Sequence, residues 1–268
     1  MNKSYVHGYT PREAERLQDQ SQTLADLLHT STKYPPGAQV LEAGCGTGAQ
    51  TLELARRSPG SQFTSVDISS ESLEAARRRV AAAGFQNVRF RQADITALPF
   101  APASFDHVFV CFVLEHLPRP DKAVQDLARL LRPGGSLTVI EGDHGTACFH
   151  PDDPAAHEVI SCQIELQRRA GGDARIGRRL HPLLSAAGLS NVEVQPCLVY
   201  ADASHPDRSD AFIRRTFTPM VEGVRDFAIS AGLIDAARFD TGMRALHRTA
   251  EPGGSFCYTF FKATAVLA

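Results

Sequence analysis

Residues Val40 to Gly48, VLEAGCGTG, carry the reading that decides the fold. A short apolar run meets the acidic Glu42 and then Gly44, Gly46 and Gly48, one glycine at every second position, before a helical pattern starts at Gln50. That order describes a strand, a tight turn and a helix. Glycine lets the backbone turn sharply and leaves no Cβ between main chain and ligand, so the turn is expected to hold a molecule against peptide N–H groups at the helix start. Three glycines so close together weaken a helix start unless something needs the space. The spacing G-x-G-x-G also departs from the G-x-G-x-x-G of dinucleotide-binding turns.

Working outward, Gln50 to Arg57 reads as a helix stopped by Ser58-Pro59-Gly60, and Gln62 to Val66 as a second strand with Asp67 at its end. Ser69 and Ser70 supply caps for a helix over Glu71 to Ala83, which Gly84 stops. Val88 to Gln92 is the third strand, followed by Asp94 and Ile95. Phe105 to Cys111 is the fourth and is almost continuously apolar, as a strand covered on both faces should be. A helix over Asp121 to Leu131, the turn Arg132-Pro133-Gly134-Gly135 and a fifth strand over Ser136 to Ile140 complete the alternation. Such a series predicts a doubly wound parallel sheet with right-handed crossovers. Upstream, Thr10-Pro11-Arg12-Glu13 forms a capping box for a helix running to about His29.

The glycine stretch, together with FDHVFVCFVLEHLPRPDKAVQDLARLLRPGGSLTVIE (Phe105 to Glu141), resembles class I S-adenosylmethionine (SAM) dependent methyltransferases of the small-molecule type, over about residues 37 to 142. The resemblance implies an α/β fold: a Rossmann-like, doubly wound, seven-stranded sheet, mostly parallel with an antiparallel last strand, plus helical insertions. It implies one domain over residues 1–268, with 1–33 as an N-terminal lid segment and helix, and 143–177 and 201–252 as helical insertions that cap the substrate. SAM is the cofactor implied, held by Glu42, Gly44, Cys45, Gly46, Asp67, Ile68, Asp94, Ile95 and Cys111. Asp67 would take the ribose hydroxyls and Asp94 the adenine amino group, with Ile68 and Ile95 as walls of the adenine slot.

Methyl transfer is an in-line displacement at a carbon the cofactor has already activated, so the chain needs to orient, exclude water and receive a proton. A base should project from the carboxyl ends of strands four and five, where His144 and His116 stand, His144 preferred for its flanking glycines. Tyr5, Tyr9 and Tyr200 are expected to line the acceptor site, the first two from a lid. The acids and histidines from Asp143 to His157 lack H-x-x-x-H spacing, and no metal is expected. The Phe-rich stretch within 201–252 packs on something: the substrate side, or a second copy of the chain. The N-terminal segment is a second candidate for such a homo-oligomer contact.

With 28 basic and 30 acidic residues the net charge is −2, which excludes a global basic field for nucleic acid or anionic membrane and favours a small-molecule partner. No Asn/Asp-Pro-Pro-aromatic motif of exocyclic-amino nucleic-acid methyltransferases follows strand four. The six cysteines form no C-x-x-C pair, which fits reduced thiols in a cytoplasmic protein. The longest apolar run, Val108 to Leu114, is far short of the roughly 20 residues a membrane span needs. The reading is therefore C- or O-methylation of a small, largely apolar metabolite, as in secondary metabolism or quinone-like chemistry. A nicotinamide-dependent oxidoreductase and a non-catalytic SAM-binding regulator are the alternatives.

Overall fold

The computed structural model describes residues 24–268. Tyr5, Tyr9 and the capping box at 10–13 lie outside them. Helical residues 24–29 (α1) lead to β1 (Gln39–Ala43), α2 (Ala49–Arg57), β2 (Gln62–Asp67), α3 (Ser70–Ala82), β3 (Val88–Gln92) and β4 (Phe105–Cys111). Then come α4 (Pro120–Leu130), β5 (Leu131–Gly142), β6 (Cys148–His150), α5 (Pro154–Arg169), α6 (Leu180–Ala186) and β7 (Ser190–Asp202). A short α7 (Pro206–Arg208), a π-helix (Ser209–Phe217), α8 (Thr218–Glu222), α9 (Arg225–Ser230) and α10 (Ala236–Arg248) precede β8 (Ser255–Val266).

β1 pairs in parallel with β2 and β4, β2 with β3, and β4 with β5. β8 runs antiparallel between β5 and β7. The parallel series with one antiparallel strand is as the sequence led us to expect, but there are eight strands rather than seven. The addition is β6. β8 outruns β5, whose last partner is Phe260, and residues 148–150 pair with Ser255, Phe256 and Cys257 along the stretch left over. A three-residue strand shows no periodicity, so nothing in the sequence announced it. β5 itself starts earlier than expected because Leu131 already pairs with Phe105, and 132–135 bulge before Ser136 meets His107.

Successive residues of a strand face opposite sides, and the core divides accordingly. Val40 and Phe109 pack in one layer with Leu24, Leu28 and Leu54. Leu41, Val108 and Val110 pack in the other with Leu127 of α4 and Leu180 and Leu184 of α6. The 201–252 segment belongs to the first layer. Phe212 lies 5.7 Å from Tyr258 and 6.0 Å from both Phe256 and Phe260, ring centre to centre. Most of its apolar surface is thus consumed within the chain, by the sheet and by α5, and Phe227 is the phenylalanine of that segment left exposed. Among the described residues no helix is long and apolar enough to cross a membrane.

Candidate active site

The three glycines do three different things. Gly44, Gly46 and Gly48 have φ of +80°, +51° and +80°, a backbone region open to glycine and costly for other residues. A Cβ on Gly44 would sit 2.4 Å from Val113 Cγ2, and one on Gly48 would sit 2.9 Å from Ala76 Cβ. Those two permit close packing of the β4 end and of α3. At Gly46 a Cβ would meet nothing within 4 Å, so here the loop faces open space. The expected row of peptide N–H groups awaiting a ligand needs correcting. Gly44 and Cys45 donate to Val66 O at 2.8 and 2.9 Å, Gly46 donates to Asp67 Oδ2 at 2.8 Å, and Gly48 donates to Cys45 O at 2.9 Å. The loop offers a hollow, with those four donors spent on holding its shape.

Around the hollow, the carboxyl ends of the parallel strands bring the expected residues to one edge. Glu42 is buried; its Oε2 accepts from Thr51 and Ser65 at 2.7 and 2.6 Å, while Oε1 has no hydrogen-bond partner. Burial pushes its carboxyl up to about 7, the two hydroxyls opposing the shift and the Asp67 charge adding to it. Asp67 at the tip of β2 accepts from Gly46 N–H and, through Oδ1, from Ser69 N–H at 2.9 Å. It therefore ties the glycine loop to the start of α3. Burial raises its pKa against the pull of these backbone donors. Asp94 accepts from the Thr96 amide and hydroxyl at 2.8 and 2.7 Å, both on Oδ1, as a turn-forming aspartate does. Ile95 is buried, Ile68 is 40% exposed, and Cys45 and Cys111 are buried thiols whose pKa values burial raises.

Just after β4 the backbone is strained. Phe112 has φ +57°, a left-handed conformation uncommon for an aromatic residue, and its N–H donates to Ile140 O at 2.9 Å. Buried Glu141 accepts from the Val113 and Leu114 amides at 3.0 and 2.7 Å, which fixes the turn leading to His116. His116 Nε2 stands 3.7 Å from Glu115 Oε1. His144 is elsewhere: its Nδ1 lies 2.8 Å from the Tyr258 hydroxyl, and Phe217 packs edge-on against the ring at 6.1 Å. Asp143 beside it is buried and forked by Arg178, whose Nη2 donates to Oδ1 at 2.8 Å. Tyr200 is not brought to this group. Cys197, Val199 and Ala201 of β7 face the aromatic cluster, and Tyr200 points from the other face, 44% exposed.

Tyr258, Glu141 and Phe112 are absent from the set expected from sequence. Tyr258 had a signal: Phe256, Tyr258, Phe260 and Lys262 alternate along β8, and a tyrosine on a buried face needs a partner for its hydroxyl. Phe112 had none, since its conformation opposes its residue type.

A family model described as a methyltransferase domain matches residues 40–135. The match runs from Glu42 through the glycine hollow, Asp67, Asp94 and the β4 turn to the bulge of β5. The Methyltransferase GfsG of Streptomyces halstedii is 32% identical over 141 residues, 52% of this chain and 50% of its own. A Demethylmenaquinone methyltransferase of Thermus thermophilus is 39% identical over 103 residues, 38% of this chain and 46% of its own. This chain thus spans about half the length of those curated relatives. The YcgJ protein of Bacillus subtilis shares the fold, with a TM-score of 0.58 at 20% identity over 91% of this chain and 97% of its own. Beyond the matched residues lie His144, Tyr258 and the whole of 201–252. Among the described residues no group of three or more His, Cys, Asp or Glu side chains is gathered to hold a metal ion.

Proposed function

We propose that this chain transfers a methyl group from SAM to a small, largely apolar metabolite, by C- or O-methylation. The observation that carries the reading is the open space at Gly46, whose amide is held by the Asp67 carboxylate, together with a buried Glu42 oxygen on the adjoining strand that has no hydrogen-bond partner. A buried polar atom left unsatisfied costs stability and calls for a ligand group or water to satisfy it. In this reading Glu42, Gly44, Cys45, Gly46, Asp67, Ile68, Asp94, Ile95 and Cys111 hold the cofactor. Asp67 accepts the ribose hydroxyls, and exposed Ile68 lies against the adenine with buried Ile95 behind it. When bound, that cofactor supplies a methyl carbon made electrophilic by its sulfonium sulfur.

The chain's own part is orientation and proton handling. His144, whose Nδ1 is hydrogen-bonded to the Tyr258 hydroxyl, is the residue proposed to take the acceptor's proton. His116, held by the Glu115 turn, is the second candidate. Phe217 packs against the His144 ring and Phe112 against Phe260, an apolar setting that suits an apolar acceptor. The name of the Thermus relative points the same way, toward quinone-like molecules. Residues 1–33 are the proposed lid segment, with Tyr5 and Tyr9, and its helix, and 143–177 and 201–252 the cap. A cytoplasmic location belongs to the same reading.

Titration calorimetry with S-adenosylhomocysteine tests the proposal. Asp67→Ala should weaken binding by well over tenfold, since Asp67 both shapes the loop and faces the hollow. Unchanged affinity would remove Asp67 from the site, and binding of NADH in preference to the homocysteine would overturn the cofactor.

A further inference from the structure

On the face of β8 opposite Tyr258 lies a pair of side chains with chemistry of its own. Cys148 of β6 and Cys257 of β8 are direct partners in the antiparallel register. Such partners point to the same face with Cα atoms about 4.5–5.5 Å apart, inside the range a disulfide spans. Their neighbours Phe149 and Phe256 stack on the inner face at 5.8 Å and 12°, which leaves both thiols together on the outer one. Cys148 is exposed and Cys257 partly so, whereas Cys45, Cys111, Cys162 and Cys197 are buried. We propose that Cys148 and Cys257 are a thiol–disulfide exchange site that takes a low-molecular-weight disulfide and closes to an intramolecular Cys148–Cys257 bond.

The roles divide by environment. Burial, and the neighbouring Cys148 thiol, push Cys257 up to about 11, so the exposed Cys148 makes the first attack. Its thiolate breaks the sulfur–sulfur bond of the reagent, forming a mixed disulfide and releasing one small thiol. Cys257 then gives its proton to solvent and attacks the Cys148 sulfur, expelling the second small thiol. Two electrons and two protons pass from protein to reagent.

The bond encloses α5, β7 and all the helices between β7 and β8 in one covalent ring. Its first cysteine follows closely on the turn that carries His144, a turn already tied to β8 where Thr259 N–H donates to Thr146 Oγ1 at 2.9 Å. Oxidation therefore staples the entrance and exit of the proposed cap together beside the histidine. The geometry stands on strand register alone and does not depend on methyl transfer.

The test treats the reduced full chain with oxidised glutathione. The expected product is a monomer lighter by two hydrogens, with two fewer thiols titratable in the native state, a Cys148–Cys257 peptide pair on digestion, and a higher melting temperature that dithiothreitol reverses. In Cys257→Ser the same treatment should stop at a glutathione adduct on Cys148. A lasting adduct on Cys148 of the wild type, a bond joining other cysteines or two chains, or no loss of thiols would each overturn the proposal. Peptide mapping of the wild type decides the matter without any variant.

Discussion

His29 illustrates how one side chain ties acidity to stability. Its ring is fully buried against Phe109, with Nε2 2.6 Å from Gln50 Oε1 and Nδ1 without a hydrogen-bond partner. Burial lowers its pKa to about 4. The folded chain thus keeps the ring neutral where the unfolded chain, with an ordinary value near 6.5, takes up a proton. The unfolded state binds more protons in that window, so stability falls as pH drops from about 6.5 toward 4. The loss should amount to roughly 3 kcal/mol over the window, and chemical denaturation at several pH values should show the slope flattened in His29→Gln. An equal slope in both proteins would assign the acid sensitivity to other groups. Glu42 acts in the opposite sense. Its carboxyl, raised to about 7, favours the folded state below the ordinary carboxylate value, and that contribution disappears as pH rises through 7. Glu42 and Asp67 could be singled out from sequence because their positions follow from where a strand must end. His29 could not, since its burial depends on α1 lying across β4.

At the scale of elements, α1 is held by a residue far away in sequence. Lys262 of β8 is buried, and its Nζ donates to Leu28 O, Ser31 Oγ and Thr32 Oγ1 at 3.0, 3.0 and 2.6 Å. A cation at the last turn of a helix meets carbonyls that have no partner within it. Lys262→Met keeps the length of the side chain but removes the donor from three acceptors, which should cost about 1–3 kcal/mol. The damage should be local: amide exchange over 24–32 should accelerate while β1 and β4 stay protected. Exchange rising evenly across the sheet would show that Lys262 supports the fold at large. β1 to β5 and α2 to α4 were legible because each combines a clear period with a stop signal, such as Gly84 or Ser58-Pro59-Gly60. The stretch leading into α6 is less regular, opening with a 3-10 turn over Ile176–Arg179. Likewise the π-helix at Ser209–Phe217 and the strand β6 answer to packing on β8 rather than to local preference.

Across the whole molecule, the sequence motifs and the family match end near the same place. Residues 40–135 carry the half proposed to hold the cofactor, and its glycine and acid spacing is dictated by one geometry, the carboxyl edge of a parallel sheet. The remaining half carries the residues proposed to meet the acceptor. Its side chains converge by tertiary packing, as His144 and Tyr258 do across 114 positions of chain, and no local spacing encodes such a meeting. That is why the fold and the glycine and acid positions at the strand ends could be read early, while Tyr258 emerged only with the sheet assembled and Tyr200 lies on the other face of β7.

The place of β8 has a consequence for biosynthesis. It is threaded between β5 and β7, both of which leave the ribosome before it. Until it arrives, two neighbouring strand edges remain open and the lysine that fastens α1 is missing. The early half can collapse co-translationally around β1, β2 and β4, but the nascent chain must wait for its eighth strand before the far side of the sheet can close. During that interval those open edges are where a chaperone would be most needed.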